Sequence, residues 1–281
     1  MFNLIKMDMH RLVHSTSTWL ALFFTIVVAV FGVAMTNMDI LASLENPSGA
    51  IEEVSTEQQI GISVTADPKW ATGDIEIGDV FSLELGSSLL ALLCVIFSAL
   101  FTSAEQKNGY IKNIAGQFPR RGKLIASKLV AITVQVFLMM LLFFVVIVVS
   151  GFAFWGDKFY LGSVVAILKV FGTQYLLHLG LSALIMFFCI LTHSTAFGIT
   201  AGILISSNIA APIYVSINKF IADFKPNWNL DISEYMLDGN ITRIAIDTTA
   251  DVMFRASIVG IAFVVVFTML AMITIKKRDV R

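Results

Sequence analysis

Charge is scarce in this chain: only 14% of its 281 residues are Asp, Glu, Lys or Arg, while 57% are hydrophobic and the mean hydropathy is +0.83. A soluble globular domain is about a quarter charged, so that class is excluded and an all-α polytopic membrane protein is expected. Cysteine is nearly absent. Cys94 and Cys189 both fall inside apolar runs, which argues against a disulfide framework or a thiolate metal site. Histidine is equally sparse, and His10, His14, His178 and His193 have no membrane glutamate beside them to hold a metal. An intramembrane hydrolase is therefore disfavoured, with no catalytic residue and no metal ligand to name. The net charge of −1 gives no reason to expect a nucleic-acid partner.

What the chain has instead is long apolar runs. A bilayer core about 30 Å thick asks for roughly 20 apolar residues in a helix. Six segments meet that requirement, at about 18–37, 80–104, 124–154, 162–191, 195–217 and 255–275. Each must be helical, because a backbone facing lipid has to satisfy its hydrogen bonds internally. Ahead of them, Phe2, Ile5, Met9, Leu12 and Val13 recur at helical spacing, with Lys6, His10 and His14 on another face. Residues 1–17 are thus expected to form an interfacial elbow helix, leading into a single six-span domain over 18–281 whose first span is an uncleaved anchor.

The charges that remain are sorted by segment. Lys6 and Arg11 precede the first span, and Lys276, Lys277, Arg278 and Arg281 follow the sixth. Six of the nineteen Lys and Arg residues crowd into 105–128. The two long loops opposite, 38–79 and 218–254, are acidic; the first holds nine carboxylates against Lys69 alone. The bias of basic residues toward the cytoplasm places both termini and the 105–128 loop inside, and both acidic loops outside, a cell membrane.

The loop itself reads EQKNGYIKNIAGQFPRRGKLIASK. Gly109 breaks the backbone, Tyr110–Ile114 has the pattern of a short amphipathic helix, and Gly116 and Pro119 punctuate again before the third span. A short helix anchored at both ends can seat in a partner's groove and transmit force. A plainer reading is a basic flank that binds anionic lipid, each residue contributing about 1 kcal/mol near the surface. The stretch from Gly116 to Leu124 imitates a phosphate-binding loop, but five residues separate its glycines, Pro119 removes a backbone donor, and Leu124 follows Lys123 where Ser or Thr is required. The chain therefore shows no nucleotide site of its own.

The order Glu105, Lys107-Asn108-Gly109, Ile111-Lys112-Asn113, Pro119-Arg120-Arg121 and Ser127-Lys128 resembles the loop between the second and third spans of type-2 ABC-exporter permeases. It is most similar to bacterial permeases that export, or confer immunity to, lantibiotics and amphipathic peptides such as phenol-soluble modulins. It departs from that pattern at Tyr110, where a Thr is usual, and at Arg121, which follows Arg120 directly. The resemblance implies a permease dimer, of two copies or of two paralogues, whose inner loops dock on separate ATPase subunits that carry the ATP and Mg. It assigns the docking to Glu105, Gly109, Tyr110, Lys112, Asn113, Pro119, Arg120, Arg121 and Lys123. An amphipathic or hydrophobic peptide would be the cargo.

Two span features remain. Ser194, Gly198, Gly202 and Ser206 form a four-residue stripe of small side chains that lets helices approach, either within the subunit or across a dimer. The resemblance favours the dimer, since in that family the first and fifth spans line the subunit interface. Lys169, Gln174 and His178 fall inside the fourth run, and either border a translocation cavity or, for Lys169, snorkel outward. The principal alternative is an autonomous secondary transporter or channel. Such proteins show repeats or broken helices with intramembrane acids, none of which is evident here.

Overall fold

The computed structural model describes residues 2–45, 66–71, 73–107, 122–224 and 231–277. Helix α1 (Phe2–His14) leads into α2 (Thr16–Glu45). A 3₁₀ turn at Pro68–Ala71 and strand β1 (Ile75–Glu76) precede α3 (Ile77–Gly86) and α4 (Leu89–Lys107). Next come α5 (Gly122–Trp155), strand β2 (Phe159–Tyr160) and α6 (Val164–Thr192). Helices α7 (Thr195–Ser206), α8 (Ala211–Phe224), α9 (Leu237–Arg243) and α10 (Ala250–Lys277) complete the order.

Four helices, α2, α5, α6 and α10, are long and apolar enough to cross a membrane unbroken. The other two expected spans are bent pairs, α3 with α4 at 53° and α7 with α8 at 62°, which brings the number of spans to six if each pair is one span. This is an all-α polytopic membrane protein with two sharply bent helix pairs, a feature that the apolar runs concealed. The first break falls at Ser87–Ser88, where Ser88 takes φ 63, a left-handed conformation unusual without glycine. The second falls at Ser207–Ala210, with Asn208 at φ 54. Pro212 lies just beyond it, in the first turn of α8, where a missing backbone donor costs nothing.

Local chemistry sets the other boundaries. Ser163 caps α6 by accepting from the Ala166 amide, Ser194 caps α7 by accepting from the Phe197 amide, and His193 takes φ 54 between the two helices. Beyond the membrane helices, β1 and β2 pair in parallel and bury Ile75 and Phe159. Helix α6 is the hub of the core, buried along most of its length and packed most extensively on α10. The opposite surfaces stay apolar and exposed, as with Phe23, Val27 and Phe31 on α2 and Phe254, Ile261 and Val265 on α10. So large an apolar exposure is the surface that lipid covers.

Candidate functional site

At one end of the bundle α1 lies against the start of α5 and buries Leu4, Asp8 and Leu12; of the expected apolar stripe Leu12 is buried, Ile5 and Met9 are half-buried, and Phe2 and Val13 are exposed. The helix was legible; that Leu4 and Asp8 belong to its inward face was not. A carboxylate takes the middle position because it has partners there. The Ser127 hydroxyl of α5 donates to Asp8 Oδ2 at 2.6 Å, and Arg11 Nη1 lies 3.7 Å from Oδ1. Arg11 also reaches α4: its guanidinium sits 4.1 Å over the Phe101 ring, and Nη2 donates to the Phe101 carbonyl at 3.4 Å. Beside Ser127, the buried Lys128 donates to the Thr102 carbonyl of α4 at 3.3 Å.

One helix thereby joins the last turns of α4 to the first turns of α5, the two stems of the basic loop. Of the residues named for that loop, Gly109, Tyr110, Lys112, Asn113, Pro119, Arg120 and Arg121 lie outside the described residues. Glu105 belongs to the last turn of α4, and Lys123 is partly exposed in the first turn of α5.

Deeper in the bundle, Gln174 and His178 are wholly buried on one face of α6. His178 Nδ1 donates to the Gln174 carbonyl at 2.7 Å, and Gln174 Nε2 donates to the Ile241 carbonyl of α9 at 2.9 Å. His178 Nε2, both amide atoms of Gln135 and the Ser182 hydroxyl have no hydrogen-bond partner among the described residues. Lys169 does not join them. It lies on the exposed face of α6, so the expected trio is split into a buried pair and an outward lysine.

The acidic segment expected to be an outer loop turns back into the bundle. Leu237, Ile241 and Ile244 are buried, and a Cβ on Gly180 of α6 would come within 3.1 Å of Leu237 Cδ2. Gly180 is about 24 Å along α6 at 1.5 Å per residue, so this cap reaches mid-bundle. Its rim is polar. Asp231 accepts from Asn218 of α8 at 2.7 Å and from Arg243 at 2.9 Å, Tyr214 donates to Asp238 at 3.0 Å, and Arg255 of α10 pairs with Glu234 at 2.8 Å. Asn218, Asp231, Thr242 and Arg243 line a pocket of about 200 Å³ between α8 and α9.

Burial alone would raise the Asp231 carboxyl, but donors on Ser233, Arg243 and Asn218 outweigh it and pull it down to about 2. A depressed carboxylate contributes stability that is complete above its unfolded value, near 3.9, and is lost as pH falls through the folded one. The gap in melting temperature between the wild-type chain and Asp231→Asn is accordingly expected to be full at pH 5 and above, and to close between about pH 4 and pH 2. A gap independent of pH would mean that the charge of Asp231 does not hold the cap.

The small-residue stripe packs inside the subunit, not on a free face. A Cβ on Gly198 would collide with Cys189 Sγ of α6, and one on Gly202 with Val95 of α4. Ser206 is buried beyond them, while Ser194 serves as the N-cap. Tight packing against α4 and α6 therefore accounts for the stripe.

Residues 74–281 match the model of a family described as "Protein of unknown function (DUF2705)". The chain belongs to that family. The matched region runs from β1 to the end of α10 and includes every element described above except α1, α2 and the 3₁₀ turn. Among curated proteins, none matches the chain.

Three functional candidates escaped the sequence reading. Asp8 belongs to neither the apolar stripe nor the set of Lys6, His10 and His14, so nothing in the amphipathic pattern singled it out. Gln135 sits in the most apolar run of the chain, where a lone amide is itself a signal. Glu84 is wholly buried in α3, inside the expected 80–104 run, where an acid is itself a signal.

Proposed function

We propose that the chain is the membrane subunit of an ABC exporter, working as a dimer of two copies or with a paralogue in the plasma membrane, with both termini cytoplasmic. A separate ATPase pair supplies ATP and Mg, and the cargo is an amphipathic or hydrophobic peptide. The observation that carries this reading is the junction of α1 with both stems of the basic loop. Asp8, Arg11, Ser127 and Lys128 make α1, the end of α4 and the start of α5 one unit, so force applied to the 108–121 loop would turn three helices together. A loop that merely bound lipid would need no such brace. The re-entrant cap supports the reading at the other end, because it closes the bundle with polar contacts that can be exchanged.

The test is co-purification from nanodiscs with candidate ATPases, comparing the wild type with the Lys112→Glu/Arg120→Glu/Arg121→Glu triple variant. Reversing three charges is expected to abolish capture of the ATPase while leaving the melting temperature unchanged. Failure of any ATPase to bind the wild-type chain would reject the permease role.

A second reading, an autonomous ion-coupled transporter, is favoured by one specific finding. Two helix pairs are bent by more than 40° and one acid is wholly buried, which supports the reading where the sequence had argued against it. Transport by the isolated chain under an ion gradient, without any ATPase, would decide for that reading.

A further inference from the structure

Glu84 is the only carboxylate among the described residues of the bundle whose side chain is completely enclosed without a basic or tyrosyl partner. It sits in the last turn of α3 and is 0% exposed. Among the described residues its side chain has one hydrogen-bond partner, the Thr36 hydroxyl of α2, which donates to Oε1 at 2.9 Å; Oε2 has none. Oε2 lies against Gly32 of α2, in the space that a side chain there would fill, since a Cβ on Gly32 would collide with it. Gly32 and Thr36 are one turn apart, so α2 presents a slot and a donor matched to one carboxyl group.

The elements packed on α3 are α2, α4, α5, α6, α9 and β1. Their titratable groups act elsewhere: Asp238 of α9 is held by Tyr214, Glu76 of β1 accepts from the Ser163 amide, Lys128 of α5 reaches Thr102, and His178 of α6 is bonded to Gln174. Asp39 of α2 and Asp79 of α3 itself are both partly exposed. Among the described residues no charged group forms a bond or ion pair with Glu84, and the Thr36 hydroxyl is the one donor it has.

The site also adjoins a hinge. The Ser87 hydroxyl donates to the Glu84 carbonyl at 2.6 Å, and the next residue, Ser88, is the left-handed point at which α3 breaks from α4. A cation would need several oxygen ligands, six to eight for calcium. The slot offers one carboxylate and one hydroxyl. A proton, in contrast, needs only Oε2, and it removes the charge that such a site cannot solvate.

We propose that Glu84 is a proton-binding site, its carboxyl taking and releasing one proton at Oε2, with the released state accommodated only when α2 and α3 part enough for water to reach Gly32. Thr36 lies about 30 Å along α2 from Thr16 at 1.5 Å per residue, which sets the site at the cap end of the bundle, away from the basic loop. The proton therefore exchanges with the compartment that the cap faces. This inference requires neither an ATPase nor a cargo.

The experiment is infrared difference spectroscopy of the full chain in phospholipid nanodiscs across a pH titration, with no ATPase present, so its outcome is independent of the permease reading. The wild type is expected to show the carbonyl stretch of a protonated, buried carboxyl at low pH that disappears as pH rises, and Glu84→Gln is expected to lack it. Thr36→Val should shift that band to higher wavenumber, because the carbonyl oxygen loses its donor. Gly32→Ala should abolish it by evicting the carboxyl from its slot. Should Gly32→Ala fail to fold, the Thr36→Val shift alone still assigns the band. Identical spectra for the wild type and Glu84→Gln at every pH would overturn the proposal. So would a Glu84 band that stays constant wherever the protein is folded, because the group would then be a fixed hydrogen bonder that exchanges no proton.

Discussion

Gly260→Leu is expected to leave little folded protein. Helices α6 and α10 make the most extensive helix contact in the bundle, and they cross glycine on glycine. A Cβ on Gly260 would lie 2.8 Å from both the carbonyl carbon and the oxygen of Leu176, and one on Gly180 would lie 3.0 Å from the Gly260 carbonyl oxygen. These are backbone atoms of a helix that is itself wedged among α4, α5, α7 and α9, so no rotamer change makes room. Overpacking a core that can adjust costs about 1–3 kcal/mol. Here one whole helix must withdraw from the other, and the cost should reach or exceed the upper end of that range, a large share of the roughly 5–15 kcal/mol that holds a domain together. In lipid, close backbone approach is a main source of helix association, so the lost contact is not replaced by a hydrophobic one. The check is thermal unfolding and size-exclusion yield in detergent. Gly260→Leu should aggregate or melt far below the wild type, and Gly260→Ala should fall between. Ile261→Leu, on the exposed face one residue on, should change nothing. A Gly260→Leu chain with wild-type yield and melting temperature would mean that α6 and α10 do not cross this closely.

The long apolar helices were legible because hydropathy over twenty residues is a strong signal. The expected 124–154 and 162–191 runs correspond to Gly122–Trp155 and Val164–Thr192. The breaks were not legible, for the same reason: a window that averages across 80–104 passes over Gly86-Ser87-Ser88, although small residues in succession are a known place for a helix to kink. In 195–217 the chain breaks just before Pro212, where the proline can serve as a helix start. Buried polar groups were the hardest to read. Whether Asp8 faces water or protein depends on Ser127, 119 residues away, and whether the Gln174 Nε2 donor is satisfied depends on the Ile241 carbonyl of the returning cap. The acidic composition of 218–254 described its rim and hid Leu237, Ile241 and Ile244. Lys169 was separated from Gln174 and His178 by helix phase alone, since five residues on an α-helix turn a side chain well away from the starting face.

Asp8→Ala is expected to free α1 from the stems of the basic loop while leaving the spans folded. Asp8 is buried, accepts a short hydrogen bond from Ser127, and has the Arg11 guanidinium beside it. A hydrogen bond to a charged group contributes about 1.5–3 kcal/mol, and removing one member of a buried pair costs about 3–5 kcal/mol because the remaining groups stay desolvated. Arg11 is partly exposed, so the lower part of that range applies. Leu4 and Leu12 still favour an apolar surface at roughly 1.5–3 kcal/mol each. The helix should therefore stay at the membrane but lose its fixed seat on α5. Hydrogen exchange over residues 2–14 should accelerate strongly, and trypsin should cut at Arg11 where the wild type resists. The melting temperature of the bundle should move little, because the most extensive helix contact, α6 on α10, does not involve α1. Ser127→Ala should act in the same direction with a smaller effect, since the arginine remains. If the permease reading is right, Asp8→Ala also separates docking from coupling: the ATPase should still be captured by the basic loop, but its turnover should no longer respond to the membrane subunit. Unchanged protection of residues 2–14 in Asp8→Ala would show that the two leucines alone seat α1, and the braced unit of three helices would then have no mechanical basis.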